Sequence, residues 1–486
     1  MEESGGSPKS EAASYGRRAS LLSIGVGLTG LITYLYFALA SHNLSKEDYG
    51  QIAVLWSAVF ITVSTLQRPV EQLLSRTISD HIAHGEPYSH PLRVAALIQF
   101  GISVAFVAVA LLLRAPIQDN LLDGNEFLYW VGVGAVAAYG ASYFARGFLA
   151  GSHRLTLYAL LIISESVSRT AFPLAVAIGI ASGQDVIALG IVAAPTVSLI
   201  VVPFAFLRRF AAAKPEPGND DVGADGASAG GVPPGNPAKP PGGSATGDRS
   251  TTDTPGFTLA EGGGFAAAVF LIMLSEQTFL NAGPLLVNAT AGAAAAGYIF
   301  NILMIARAPL QLFQAVSTSL LPHLTRLRAE RAEDDFRASV RVTIRAIAAF
   351  AGLVAVAMAI AGPQLMQIAF GDKFTYDRAD LLIVTAGMGL YLCAATLNQA
   401  ALAKGQVRAA AGCWIACAAM FVAWTALPLI SDEFVRVEVG YLGAAALLCA
   451  LLYRLYRRPL AASAGVKPGS TEEMELQLAA ADEGGP

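Results

Sequence analysis

The stretch Leu92 to Leu113 reads LRVAALIQFGISVAFVAVALLL, and it decides what kind of protein this is. Its 22 residues would make a helix about 33 Å long. That matches the roughly 30 Å of hydrocarbon in a bilayer, where a helix keeps its backbone hydrogen bonds to itself. Eleven other stretches read the same way. Before the middle of the chain they run Ser20 to Ala40, Gly50 to Leu66, Phe127 to Phe148, Leu155 to Ile180 and Val186 to Leu207. After it they run Gly264 to Val287, Ala293 to Leu321, Val342 to Ile360, Leu381 to Leu402, Ala409 to Ile430 and Val437 to Tyr456. With 54% hydrophobic and 14% charged residues and a mean hydropathy of +0.53, the chain is too apolar for a water-soluble domain of its length. The fold class is therefore all-α: a polytopic integral membrane protein of about 12 transmembrane helices.

Between the sixth and seventh spans, residues 211–263 are rich in Pro, Gly, Ala, Ser and Asp and lack apolar periodicity, so they read as a disordered linker. The linker divides the chain into lobes of six spans, 20–210 and 264–458, with tails at 1–19 and 459–486. The acids that close the second tail, Glu472 to Glu483, read as solvation. Arg17 and Arg18 precede a full-length span with no cleavage site behind it, so the first span is expected to be retained.

Orientation follows from positive charge, which cytoplasmic loops retain during insertion. With the N-terminus inside, only Lys46, Arg114, Lys373, Arg378 and Arg436 fall outside and Arg169 and Arg307 fall within spans. Both termini are then cytoplasmic. A weak internal repeat relates the lobes: Gly50 matches Gly297, Pro116 matches Pro363, and Phe148 to Gly151 resembles Ala401 to Lys404. Even span numbers give the two lobes the same orientation, related by an axis along the membrane normal, with a cleft between them.

Charges at bilayer depth cost several kcal/mol unless they face protein or water, and this singles out four residues. Glu165 lies roughly 16 Å along the fifth span from Arg154, near the midplane, with Arg169 one turn on. That pair reads either as an intrahelical i, i+4 ion pair or as the wall of a hydrated cavity. Glu276, with no basic residue within a turn, is the better candidate for a coupling proton or sodium ion, and Glu165 the second. Arg307 lies deep in the eighth span before Pro309 and Gln311; Arg68 precedes Pro69, Glu71 and Gln72 at the inner end of the second. An arginine fork suits phosphate, so Arg68, Arg169 and Arg307 would suit an anionic headgroup, with Glu71, Gln72, Asn301 and Gln311 adding hydrogen bonds. The basic stretch Pro322 to Arg345 reads as an interfacial helix on anionic lipid headgroups. The four cysteines fall inside spans as small apolar residues, and no disulfide, metal or other cofactor is expected. No nucleophile constellation and no phosphate loop is visible, so the chain reads as a transporter without catalytic residues, and nothing in it points to nucleic acid.

Three segments resemble a known family: Leu44-Ser45-Lys46-Glu47-Asp48-Tyr49-Gly50, Pro69-Val70-Glu71-Gln72 through Ser75-Arg76, and Phe370-Gly371-Asp372-Lys373-Phe374. They look like polysaccharide-biosynthesis flippases of the Wzx type, in the multidrug/oligosaccharidyl-lipid/polysaccharide (MOP) exporter superfamily. The resemblance implies a MATE-like arrangement of two six-helix bundles around a central cavity, which in the flippases is cationic. It also implies alternating access in the cytoplasmic membrane, moving an undecaprenyl-diphosphate-linked oligosaccharide. Its partners would be that lipid, the surrounding membrane lipids and a polysaccharide polymerase or glycosyltransferases. A MATE-like ion-coupled drug or cation antiporter and a non-transporting scaffold for polysaccharide enzymes stay open as alternatives.

Overall fold

The computed structural model describes residues 8–204, 259–329 and 333–458, without the side chains of 8–24, 26, 259–266, 306, 308–319, 321–323 and 329. Most of the expected linker, the second tail and the first seven residues lie outside the described residues.

The first lobe is built from α1 (Pro8–Asn43), α2 (Lys46–Leu66) and its continuation α3 (Arg68–Ala83), α4 (Ser89–Leu112) and the short α5 (Arg114–Leu121). It closes with α6 (Glu126–Gly151), α7 (Leu155–Ala177) and α8 (Gln184–Ser198). The second lobe holds α9 (Leu259–Ala291), α10 (Ala293–Ala329), α11 (Glu333–Phe370), α12 (Arg378–Ala403), α13 (Val407–Ala426) and α14 (Glu433–Arg457). Among the described residues ten spans are long and apolar enough to cross a bilayer; α1 and α10, helices of 36 and 37 residues, bring the number to the expected twelve. Two segments depart from the sequence reading. α1 begins at Pro8, because Glu11, Ala12 and Ala13 propagate a helix beyond the hydrocarbon. The basic stretch Pro322 to Arg345 is divided between the end of α10 and the start of α11, so each half continues a transmembrane helix.

The repeat is visible in the packing. In the first lobe α1 lies on α7, α7 on α8, α3 on α6, α6 on α8 and α4 on α6; in the second, α9 lies on α13, α13 on α14, α10 on α12, α12 on α14 and α11 on α12. The turns that follow α6 and α12 have the same hydrogen bonds. Arg154 N donates to Leu149 O at 2.8 Å and Gln406 N to Ala401 O at 2.9 Å, with His153 (φ 55°) and Gly405 (φ 72°) in the left-handed conformation. The turns therefore pair Leu149 with Ala401, one position short of the sequence match.

The lobes meet through α1 and α2 against α9 and α10. Gly50 and Gly297, paired by the repeat, touch across this junction, which places them on the pseudo-twofold axis: a Cβ on Gly297 would lie 3.1 Å from Gly50 Cα. Around them is a seal. Ser41 Oγ donates to Phe370 O at 2.5 Å, Tyr49 OH donates to Asn301 Oδ1, and Asn301 Nδ2 donates to Tyr376 OH at 2.9 Å. The Lys373 ammonium caps the last carbonyls of α1, donating to His42 O at 3.0 Å, Ser41 O at 3.3 Å and Leu44 O. Rings of Phe37 and Phe300, 4.5 Å apart, close the layer beneath. Lys373→Met removes the cation that the carbonyls of Ser41, His42 and Leu44 share, and is expected to weaken this seal at least tenfold. The check is a widened spin-label distance between the lobes at positions 47 and 372.

Candidate functional site

Below the seal lies a cavity of about 570 Å³ between the lobes, lined by α1, α2, α3, α6 and α7 on one side and α9, α10 and α11 on the other. Four arginines and two glutamates reach it: Arg68, Arg146, Arg169, Arg307, Glu165 and Glu276. Their formal charge is therefore positive, two units in all.

Each charge has a local reason for its position. At the junction of α2 and α3 the helix is interrupted where Pro69 has no N–H to give; Arg68 sits at this break, 5% exposed. Gln67 beside it is tied to Gln99 at 2.5 Å. In α7, Glu165 bridges two arginines: Arg169 Nη2 donates to Oε1 at 2.9 Å and Arg146 Nη2, from α6, to Oε2 at 2.6 Å. All three side chains are 3–5% exposed. Arg169 also donates to Tyr139 OH at 2.8 Å and lies 4.6 Å over the Trp56 ring, while Arg146 lies 4.4 Å over Tyr143. The Glu165–Arg169 ion pair thus forms, and both side chains lie in the cavity wall.

Arg307 is explained by a proline in a different helix. Pro284 lies inside α9, so the carbonyl of Leu280, four residues before it, has lost its helical donor. Arg307 Nη2 fills that place, donating to Leu280 O at 2.6 Å and Asn281 Oδ1 at 2.8 Å, with the guanidinium 4.6 Å over Phe300. Glu276 enters from one turn earlier on α9, and the Arg68 charge attracts it from the opposite lobe.

Five of the residues singled out in the sequence, Arg68, Glu165, Arg169, Glu276 and Arg307, line this one cavity. Three others lie elsewhere. Asn301 is fully buried in the seal between Tyr49 and Tyr376. Glu71 is buried, accepting from Tyr158 OH of α7 at 2.9 Å, and Gln72 is half-buried and not among the residues that line the cavity. The side chain of Gln311 lies outside the described residues. Arg146 was missed: two residues before the end of its span, it reads as an ordinary inner anchor. A signal was present in the flanking glycines. Gly147 and Gly151 form a small-xxx-small face, where a Cβ would lie 2.7 Å from Glu71 O and 2.5 Å from Ser75 O. So close a contact with α3 buries the adjacent arginine.

Known proteins fit this picture. The family model described as "Polysaccharide biosynthesis protein" matches residues 15–219. The chain is 24% identical over 406 residues to the uncharacterized protein Rv3630 of Mycobacterium tuberculosis, covering 80% of each, and to Mb3654 of Mycobacterium bovis to the same extent. In fold it is similar to an inward-facing multidrug resistance MATE family transporter of the MOP superfamily, with TM-score 0.60, 11% identity and coverage of 90% and 97% of the two chains. It is also similar to the MATE transporter VcmN of Vibrio cholerae, with TM-score 0.56, 14% identity and coverage of 92% and 97%.

Proposed function

We propose that this chain is a membrane transporter of the MOP type, related to polysaccharide-biosynthesis proteins, and that it flips a lipid-linked oligosaccharide across the cytoplasmic membrane. The observation that carries this reading is the surplus of guanidinium groups in the cavity. A diphosphate joined to sugars is the anionic, hydroxyl-rich headgroup that such a surface suits, and hydrocarbon alone would exclude it. Arg68 and Arg307 approach from opposite lobes and would hold the phosphates; Asn281 and Gln277 would take sugar hydroxyls, and Trp56 and Tyr34 offer faces on which a ring could stack. A cavity of about 570 Å³ encloses the diphosphate and the first sugars, leaving the polyprenyl tail in the bilayer. With the sealed end outward, as the positive-inside pattern indicates, cargo enters from the cytoplasmic leaflet.

A cation antiporter on the same fold would need the opposite sign in its cavity. Gene deletion followed by extraction of lipid-linked glycans separates the two. The expected result is accumulation of an undecaprenyl-diphosphate oligosaccharide on the cytoplasmic face, cleared by the wild type and at least tenfold less by Arg68→Gln or Arg307→Ala, both verified in the membrane. A loss of two headgroup hydrogen bonds to a charged group is worth at least that factor. Unchanged lipid-linked glycans, with loss of resistance to cationic drugs, would overturn the flippase in favour of the antiporter.

A further inference from the structure

At the sealed end of the second lobe, a buried carboxylate has no donor. Glu438 stands in the second turn of α14, is 1% exposed, and neither of its carboxyl oxygens accepts a hydrogen bond from the described residues. The packing of α12 on α14 puts Asp380 beside it: Gly387 lets Tyr441 approach so closely that a Cβ would lie 2.7 Å from Cδ1, and two turns back this parallel register brings Asp380 level with the first turns of α14. The two carboxyl groups are within hydrogen-bonding reach. Asp380 is already held, because Tyr298 OH of α10 donates to its Oδ2 at 3.0 Å. The other charges that face Glu438 are Asp377, at the cap of α12, and Asp432, at the cap of its own helix. Arg436, two residues before it on α14, gives its Nη1 to Ile430 O at 3.2 Å.

Two facing carboxylates with no donor between them, one of them almost fully buried, repel strongly unless a positive charge lies between them. Among the described residues no group of three metal-binding side chains forms, so the smallest cation fits best. We propose that Glu438 holds a proton that it donates to Asp380, and that this proton is the one whose gain and loss controls the seal. Tyr298 connects the two: its ring lies 4.6 Å from Phe434 of α14 and stacks at 5.3 Å on Tyr376, which accepts from Asn301, the residue to which Tyr49 of the first lobe donates. With the proton in place, the carboxyl pair is compact and Tyr298 holds Tyr376 in the seal. When the proton leaves, the two carboxylates separate, Tyr298 loses its fixed partner, and the contact between lobes loosens. A proton bound on the sealed side would then favour closure of that side. The inference is independent of the cargo, and no readout below uses a glycan.

Infrared difference spectra of the full chain in nanodiscs, titrated across pH, test the proton. The C=O stretch of one protonated carboxylic acid is expected to be lost in Glu438→Gln, and also in Asp380→Asn, whose amide supplies the missing donor while still accepting from Tyr298. Both variants are checked for monodispersity and melting. Spin labels at Glu47→Cys and Asp372→Cys, exposed on opposite lobes, then report the seal in a background without the native cysteines. The distance should widen as pH rises in the wild-type background and stay short at every pH in Glu438→Gln. A spectrum identical in wild type and Glu438→Gln would overturn the proton. A distance that ignores pH in the wild type, or follows it equally in Glu438→Gln, would overturn its link to the seal.

Discussion

Gly50→Ala is expected to drive the lobes apart at the seal while leaving each lobe folded. A Cβ at position 50 would lie 1.8 Å from Ala293 O and 2.3 Å from its carbonyl carbon, where real Cβ contacts stop at 3.0 Å. The atoms it meets are backbone at the first turn of α10, so no rotamer change relieves the overlap. Helix α2 must withdraw from α10 until the 1.8 Å approach opens to at least 3.0 Å. Withdrawal on that scale breaks the hydrogen bond from Tyr49 to Asn301 and loosens the Lys373 cap. With the Tyr49 bond and two of the Lys373 bonds lost, at about 1 kcal/mol each, the sealed state should become roughly a hundredfold less favoured. The 47–372 spin-label distance should widen at all pH values, and labelling of a cysteine at position 301 should change from slow to fast. Gly297→Ala, whose Cβ meets Gly50 Cα and Tyr49 Cδ1 at 3.1 Å, should shift the equilibrium less. Gly352→Ala, with nothing within 4 Å, should not shift it at all. Equal effects at all three positions would mean that helix propensity rather than interlobe contact is being measured.

How much of this was legible in the sequence depends on whether a feature lives on one helix or between two. The spans were legible because hydrocarbon thickness and the fixed helical rise set their length, and the cavity charges because an ionised group at that depth needs a reason. Phase around the helix was not weighed, and it separates Asn301 from Arg307. Six steps along a helix of about 3.6 residues per turn put their side chains roughly a third of a turn apart, so one faces the seal and the other the cavity. Other features were not legible on any single helix. The carbonyl that Arg307 satisfies is orphaned by Pro284, on the preceding helix α9. Glu438 meets Asp380 only through the register that Gly387 allows. The seal made by Lys373 depends on a loop of the second lobe reaching back to α1, although the segment that carries it was among those whose resemblance pointed to the family.

The Glu165 bridge should prove the costliest single group to remove. Its carboxylate neutralises two guanidiniums that lie on different helices and are themselves almost fully buried. Glu165→Ala leaves both charges uncompensated, which by comparison with other buried pairs costs about 3–5 kcal/mol. The variant should therefore melt earlier and reach the membrane in lower amount. Glu165→Gln keeps an acceptor for one arginine but not the charge, so it should fall between wild type and alanine. Stability alone would not reveal whether the cluster is a fastener or part of the cargo site, since both roles predict a loss. The double variant Glu165→Gln with Arg146→Met separates them. Methionine fills much of the arginine's stem volume without its charge, leaving Arg169 with Tyr139, the Trp56 face and the glutamine. If orphaned charge is the source of the instability, the double variant should melt closer to wild type than Glu165→Gln does, a coupling of roughly 1–3 kcal/mol. If Arg146 also binds the phosphate of the cargo, clearance of the lipid-linked glycan should not recover with the melting temperature. Recovery of both would make the cluster a fastener only and leave anion binding to Arg68 and Arg307.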